Sequence, residues 1–301
     1  MFKSLTDTSK AAIFTGLVLI LAVAAALAIN ALGLAANEFA WGAVWSITPA
    51  LATVIMLLVV TREGYTRKGW QSLGLRRPGL RMWPIAFFGT LGITVAATVA
   101  VWATPLASVT ASADGGIINS AVSLVLQVIL LATTFALAEE IGIRGYLLPK
   151  LLPLGRKRAL FVTGLVWATW HMPLIFLTPL IPLGNRVVSV PLFYAAVVAA
   201  SFFYGYLRIA SGSLWPASIA HATHNSAWGL MVAFTTTSSP VLVNNYLLGD
   251  FGILITIAAA AGAVLVSRMM PRGGDKVRPD ASPVVVEPVT SAAANAAFRQ
   301  V

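Results

Sequence analysis

The strongly polar side chains that interrupt the long apolar segments of this sequence fall into three short groups. They are Glu139, Glu140 and Arg144, then His171, and finally His221, His224 and Asn225. All three histidines of the chain are among them. An ionisable side chain costs roughly 3 kcal/mol at the centre of a bilayer unless it faces a polar partner or water. A single polar chamber between helices therefore accounts for the whole set.

Helical spacing separates the roles of the two neighbouring carboxylates. Glu140 and Arg144 are four residues apart, so they lie one turn from each other on the same face and are predicted to form a structural ion pair. Glu139 is rotated by about 100° from Glu140 and is predicted to face the chamber. His221 and Asn225 are also four residues apart and can present their side chains to one point.

These types of side chain suit the hydrolysis of a peptide bond. A carboxylate and imidazoles can take a proton from a water molecule and return it to the leaving amine. A second imidazole and an amide can donate hydrogen bonds to the oxyanion that forms. The same residues leave a second interpretation open, in which Glu139, His171 and His221 hold a zinc ion that activates the water.

Three motifs carry a resemblance to a known family. They are EEIGIR at 139–144, WATWH at 167–171 and HATHN at 221–225. In this order, and each in a separate apolar segment, they resemble the EExxxR, (F/W)xxxH and HxxxN motifs of the CPBP family. This family comprises CAAX proteases and bacteriocin-processing enzymes, is also called the Abi family, and is related to the type II CAAX prenyl endopeptidases. The resemblance covers about residues 120–235.

The resemblance implies an intramembrane peptidase and a role for each motif residue. The implied roles are water activation by Glu139 paired with His171, oxyanion stabilisation by His221 and Asn225, a place for Glu140 in the same catalytic group, and structural support from Arg144. Family members have been described both as metalloproteases and as metal-free glutamate proteases. We favour the metal-free form, without a cofactor, because the sequence has neither an HExxH motif nor a cysteine; zinc is the alternative. The implied substrates are peptides or membrane proteins, among them proteins with a lipidated C-terminus.

The elements that position these residues are apolar segments long enough to cross a membrane. Hydrophobic residues make up 58% of the chain and charged residues only 10%, whereas soluble domains have about 25% charged residues. Since about 20 apolar residues cross a bilayer as a helix, we predict eight spans, at about 11–34, 39–61, 83–106, 120–148, 159–180, 187–207, 214–235 and 250–270. The predicted fold is an all-α polytopic membrane helix bundle with a polar chamber inside the membrane.

The chain is predicted to divide into four units. They are residues 1–119 with the first three spans and a basic loop, residues 120–235 as the catalytic core, residues 236–270 with the last span, and residues 271–301 as a cytoplasmic tail. The tail is rich in proline, alanine and serine, a composition that is typical of disordered segments.

Basic residues mark one side of the predicted bundle. They concentrate before the first span, in the loop 62–81, in 150–158 and in the tail, whereas the segments 107–119 and 236–249 contain neither lysine nor arginine. The positive-inside rule then places both termini in the cytoplasm, and we predict an integral protein of a bacterial plasma membrane. This placement also explains the net charge of +10. The expected partners are the substrate and membrane lipids, and no nucleic acid.

Two other classes of function remain open from the sequence. Glutamate, histidine and arginine side chains can form a proton relay in a transporter or channel. Such proteins are typically built from two related halves with paired broken helices, and the sequence has no repeat of this kind. In a non-catalytic bacteriocin-immunity protein, the chamber would bind a partner without cutting it.

Overall fold

The computed structural model describes residues 5–110, 116–181, 184–249 and 252–269. Over these residues the chain is almost entirely helical, with one short pair of strands. The predicted all-α membrane bundle is therefore confirmed. The division into four units stays a prediction, and the predicted tail at 271–301 lies outside the described residues.

The helices differ widely in length. In chain order they are α1 (Asp7–Ala31), α2 (Glu38–Ile55), α3 (Arg67–Gln71), α4 (Thr90–Trp102), α5 (Gly116–Thr133), α6 (Phe135–Glu140), α7 (Leu148–Leu151), α8 (Arg156–Leu177), α9 (Arg186–Ser211), α10 (Trp215–Ala233) and α11 (Ile253–Arg268). π-Helical segments adjoin them at Met56–Val60, Ile85–Gly89, Ile141–Leu147 and Val241–Leu248. Short 3-10 helices lie at Leu34–Ala36, Glu63–Tyr65, Leu80–Met82 and Leu152–Leu154. The strands β1 (Ser108–Val109) and β2 (Thr235–Thr236) pair antiparallel.

Seven of the eight predicted spans coincide with described helices that are long and apolar enough to cross a membrane. These helices run over Asp7–Ala31, Glu38–Val60, Leu80–Trp102, Gly116–Leu154, Arg156–Leu177, Arg186–Ser211 and Val241–Arg268. The eighth predicted span, 214–235, is the helix α10, which is long enough but too polar to meet the same criterion. Its most polar side chains, His221, His224 and Asn225, belong to the third motif, so this motif is what makes α10 less apolar than the other spans.

The helices pack through one face and leave the other uncovered. On α1, Phe14, Val18 and Ile29 are buried at helical spacing, and this face packs against α2 and α8. On the opposite face, Ile20 and Leu27 are 67% and 55% exposed. A helix that is apolar on all sides belongs in a protein core or in a membrane. Since protein does not cover this outer face in the described part of the chain, it faces lipid.

The fourth span changes direction just before the first motif. Thr134, between α5 and α6, has φ −126° and ψ −97°, which lies outside the helical region. After α6 the chain continues as a π-helical segment over Ile141–Leu147. π-Helical segments are rare and occur frequently at functional sites. The sequence predicts a single span over 120–148, because neither glycine nor proline stands at the break.

Candidate active site

A cavity of about 810 Å³ lies inside the bundle, with walls formed by α2, α4, α5, α6 and α8 to α11. Most of the residues predicted to face the chamber line it together, namely Glu139, His171, His221, His224 and Asn225. Glu140 and Arg144 are fully buried and lie behind the wall. The first motif therefore has a side that faces the cavity and a side that faces the packed interior.

On the cavity side, the carboxylate of Glu139 is held by two donors. The hydroxyl of Ser46, in α2, donates to Oε1 at 2.9 Å, and the indole N–H of Trp167, in α8, donates to Oε2 at 3.3 Å. Nε2 of His221 lies 3.9 Å from Oε2. Glu139 is 7% exposed. The carboxylate is therefore fixed in orientation while it remains open to the cavity.

A glycine lets α2 come close enough for Ser46 to reach Glu139. A β-carbon on Gly142 would lie 2.5 Å from the β-carbon of Pro49 and 2.7 Å from its carbonyl oxygen. Both distances are below van der Waals contact, so any larger residue would push α2 away. The glycine of the sequence EEIGIR thus allows the close packing of α2 against the first motif.

On the buried side, Oε1 of Glu140 accepts two hydrogen bonds. Nη1 of Arg144 donates at 2.9 Å, which is the pair that the spacing of four residues predicts, and Nδ1 of His221 lies at 3.0 Å. Because a carboxylate oxygen only accepts, Nδ1 carries the proton of this bond. In neutral His221 the lone pair is then on Nε2, the nitrogen that faces Glu139. Glu140 therefore sets the orientation of an imidazole that lies on the cavity wall.

Aromatic rings enclose the buried ion pair. The guanidinium carbon of Arg144 lies 4.0 Å from the ring centroid of Trp167 and 5.4 Å from that of Tyr204. The ring of His221 stacks on Tyr204, with centroids 5.8 Å apart, and meets Trp167 edge-on at 5.2 Å. Contacts of a cation with an aromatic face are attractive, more strongly so away from water. Trp167 thus contacts both sides of the motif.

His171 and Asn225 complete the cavity wall. Nδ1 of His171 lies 2.9 Å from the carbonyl oxygen of Trp167, and the ring packs edge-on against Trp170 and Phe193. Asn225 is exposed to the cavity, one helical turn beyond His221 on α10. Nε2 of His221 lies 3.9 Å from Glu139, and the pairing of Glu139 with His171 that the resemblance implies stays a prediction.

The predicted zinc ligands are not assembled as a three-ligand site. Among the described residues, no group of three or more histidine, aspartate or glutamate side chains is arranged to hold a metal ion. Both oxygens of Glu139 already accept hydrogen bonds from Ser46 and Trp167. Zinc held by Glu139, His171 and His221 therefore stays an alternative prediction, and no ligand set is assembled for it among the residues that the structure describes.

Three further residues at the site have no role in the sequence analysis, namely Ser46, Trp167 and Tyr204. Trp167 had a detectable signal, because it stands four residues before His171 and opens the second motif. Ser46 and Tyr204 had none. A hydroxyl in an apolar helix can satisfy itself on the carbonyl one turn back, so its presence there is not unusual.

The fold and the site define a membrane helix bundle with a carboxylate–imidazole centre on an internal cavity. Residues 121–227 match the family model described as "Type II CAAX prenyl endopeptidase Rce1-like". The matched residues contain all three motifs, and the resemblance to CAAX proteases is confirmed for this part of the chain. The family is a protease family, which supports a peptidase at the level of the family; together with the seven apolar helices, it indicates an integral membrane protein. No curated protein matches the chain.

Proposed function

We propose that this protein is an intramembrane endopeptidase in which Glu139 activates the attacking water. One observation carries the proposal: Glu139 is a buried carboxylate on the cavity wall, oriented by two donors, with the Nε2 atom of His221 3.9 Å away. A general base needs a fixed position within reach of a water molecule. Glu140 does not meet this requirement, because it is fully buried and bound to Arg144.

The proposed reaction begins with proton transfer from water to Glu139. The hydroxide that forms attacks the carbonyl carbon of the scissile bond and produces a tetrahedral oxyanion. Asn225 donates to this oxyanion through its amide, and His221 donates through Nε2 when both ring nitrogens are protonated. The carbon–nitrogen bond then breaks, and the proton passes from Glu139 to the leaving amine. No side chain forms a covalent bond to the substrate.

His171 faces the same cavity and is proposed to assist the proton transfers of Glu139. Its Nδ1 lies against the carbonyl oxygen of Trp167, so the neutral ring has its lone pair on Nε2. Glu140 and Arg144 act as positioning residues in this scheme. They fix the ring of His221, because Glu140 accepts from Nδ1 at 3.0 Å and is itself held by Arg144.

The proposed substrate is a peptide or a membrane protein. A volume of about 810 Å³ accommodates several residues of an extended chain, and apolar rings on its walls suit apolar side chains. The rings are those of Trp41, Phe135, Phe193, Phe203 and Trp228. A lipidated C-terminus belongs to this proposal as one form of substrate. A bacterial plasma membrane with both termini in the cytoplasm is the proposed location, and it rests on the distribution of basic residues.

Cleavage of a peptide library by the purified protein in proteoliposomes tests the proposal. We expect cleavage by the wild type and none by Glu139→Gln or His171→Ala. The variant Glu63→Gln is the matched control, because it removes a carboxylate on the far side of the bundle. Equal cleavage by wild type and Glu139→Gln would refute the proposed role of Glu139.

Three additional measurements separate the zinc form and the other two functions from this proposal. Cleavage that persists after exhaustive chelation supports the metal-free form, whereas cleavage that is lost and then restored by zinc supports the zinc form. Proton or ion flux across the same membranes without cleavage would favour a transporter. Tight binding of a partner protein, in the absence of both flux and cleavage, would favour an immunity protein.

A further inference from the structure

The two ends of the bundle differ in charge. At one end, called the basic end below, lie Lys10, Arg62, Arg67, Lys68, Arg76, Arg77, Arg81, Lys150, Arg156, Lys157, Arg158, Arg208 and Arg268. The other end is called the uncharged end. Its described connections 32–37, 103–110 and 234–240 contain no basic residue, and Arg186, at the start of α9, is the one basic residue described at this end. The positive-inside rule assigns the basic end to the cytoplasm.

The cavity extends from the site toward the uncharged end. On α2 its lining runs from Glu38, the first residue of the helix, to Ser46; on α8 it runs from Trp167 to Leu174. At a rise of 1.5 Å per residue, Ser46 lies about 12 Å from the start of α2 and about 20 Å from Val60 at the basic end. The site is therefore closer to the uncharged end.

A segment of the chain closes the bundle on the basic side of the site. This segment, residues 72–79, is tied to α9 and to the start of α10. Nη2 of Arg208 donates to the carbonyl of Ser72 at 3.2 Å, and the N–H of Leu214 donates to the carbonyl of Gly74 at 3.0 Å. The indole of Trp215 donates to the carbonyl of Leu75 at 2.9 Å.

The same closing segment packs directly beneath the first motif. Leu73 is 1% exposed, and a β-carbon at Gly145 would lie 3.4 Å from its carbonyl oxygen. Arg208 is 1% exposed, and a β-carbon on Gly74 would meet its guanidinium at 2.6 Å. These contacts fill the space between the site and the basic end, so a polypeptide has no path to Glu139 from that side without displacing this segment.

We infer that the substrate reaches the site from the uncharged end, and hence that it is a membrane-anchored polypeptide whose scissile bond is presented on the extracytoplasmic side of the membrane. This inference rests on the proposed peptidase function.

The margin of the cavity explains why the substrate is membrane-anchored. Phe39, at the start of α2, and Leu130, on α5, line the cavity and are 65% and 51% exposed, so they lie at its open margin. Apolar side chains in this position face lipid in a membrane span. An anchored chain can therefore enter between α2 and α5 while its apolar part stays in the bilayer.

Cysteine labelling tests the side of access, and the chain suits this method because it contains no cysteine. Glu38→Cys reports on the mouth of the cavity. Gly229→Cys reports on its interior, since Gly229 lines the cavity and a β-carbon there meets nothing within 4 Å. Lys68→Cys, at an exposed position of the basic end, is the matched control.

A membrane-impermeant maleimide is added to intact spheroplasts and, separately, to inverted membrane vesicles. We expect Glu38→Cys and Gly229→Cys to be labelled in spheroplasts and Lys68→Cys to be labelled only in inverted vesicles. Labelling of Gly229→Cys in inverted vesicles but not in spheroplasts would overturn the inference.

Cleavage measured in the same two preparations separates this inference from the proposed function. A peptide that the proteoliposome assay identifies as cleaved is added to each preparation, and we expect products only with spheroplasts. Products only with inverted vesicles would overturn the inference and leave the peptidase function intact. Absence of products in both, together with the expected labelling, would refute the peptidase function and support the side of access.

Discussion

Glu139 and Glu140 are neighbours in the chain, but they belong to two different regions of the molecule. Glu139 lines the cavity and accepts hydrogen bonds from Ser46 and Trp167. Glu140 is inaccessible and accepts from Arg144 and from Nδ1 of His221. In the proposed mechanism the cavity side activates the attacking water, whereas the buried side holds His221 in place. Two adjacent residues of one helix are thus proposed to supply a reactive group and its support.

The ion pair of Glu140 also differs from the ion pairs of Glu63, a carboxylate at the basic end of the bundle, in its exposure to solvent. There Glu63 is bound by Lys10 at 2.6 Å and by Lys150 at 3.5 Å, with 29% of its side chain exposed. Water can replace part of these interactions if one partner is lost. Glu140 is fully buried, so the loss of Arg144 leaves a charge that bulk solvent does not reach.

The largest expected effect is the loss of activity in Glu139→Gln. The amide keeps the size of the side chain and an oxygen that accepts from Ser46, but it cannot take a proton from water. We expect kcat to fall by about 10²–10⁴-fold, the usual contribution of a general base, with little change in thermal stability. A kcat within a few-fold of wild type would show that the cavity side contains a different base.

The second largest expected effect is a loss of stability in Arg144→Met. Removal of one partner of a fully buried ion pair is expected to lower the free energy of unfolding by about 3–5 kcal/mol. The double variant Arg144→Met/Glu140→Gln is the control, because it also removes the uncompensated charge and should recover part of the loss. Unfolding in mixed micelles measures both, and a double variant no more stable than the single one would contradict the assignment.

A smaller effect is expected for Ser46→Ala on the cavity side. A hydrogen bond to a charged group contributes about 1.5–3 kcal/mol, so loss of the hydroxyl should lower kcat by about 10- to 150-fold. Ser201→Ala removes another buried hydroxyl, one that donates to the carbonyl of Leu160, and should leave kcat unchanged. If both variants lose activity equally, the bond from Ser46 to Glu139 has no specific function.

The smallest effect is expected at the basic end, in Glu63→Gln. Burial raises the pKa of Glu63, but the hydrogen bond from Lys10 and the charge of Lys150 outweigh it, so the pKa lies below its ordinary value. The carboxylate therefore stabilises the fold above its unfolded-state pKa, and this contribution is lost as the pH falls through the folded-state pKa. At pH 7 we expect the variant to be less stable by about 0.2–1 kcal/mol. The difference should disappear in acid, and a constant difference at all pH values would contradict this account.

The motif residues could be predicted because charge in an apolar helix is costly and therefore informative. Glu139, His171 and His221 stand out in the sequence for that reason, and the pair Glu140–Arg144 follows from helical spacing alone. The bond from His221 to Glu140 could not be predicted, because it joins two helices and depends on how they pack. The break at Thr134 and the approach of Ser46 also depend on packing.

The central claim is that Glu139 performs the chemistry while Glu140 positions His221. The most direct test is kcat per folded molecule for Glu139→Gln and Glu140→Gln, measured side by side in proteoliposomes with Glu63→Gln as the control. We predict that Glu139→Gln is folded and inactive, while Glu140→Gln is less stable and retains measurable activity per folded molecule. An inactive Glu140→Gln beside an active Glu139→Gln would contradict the claim.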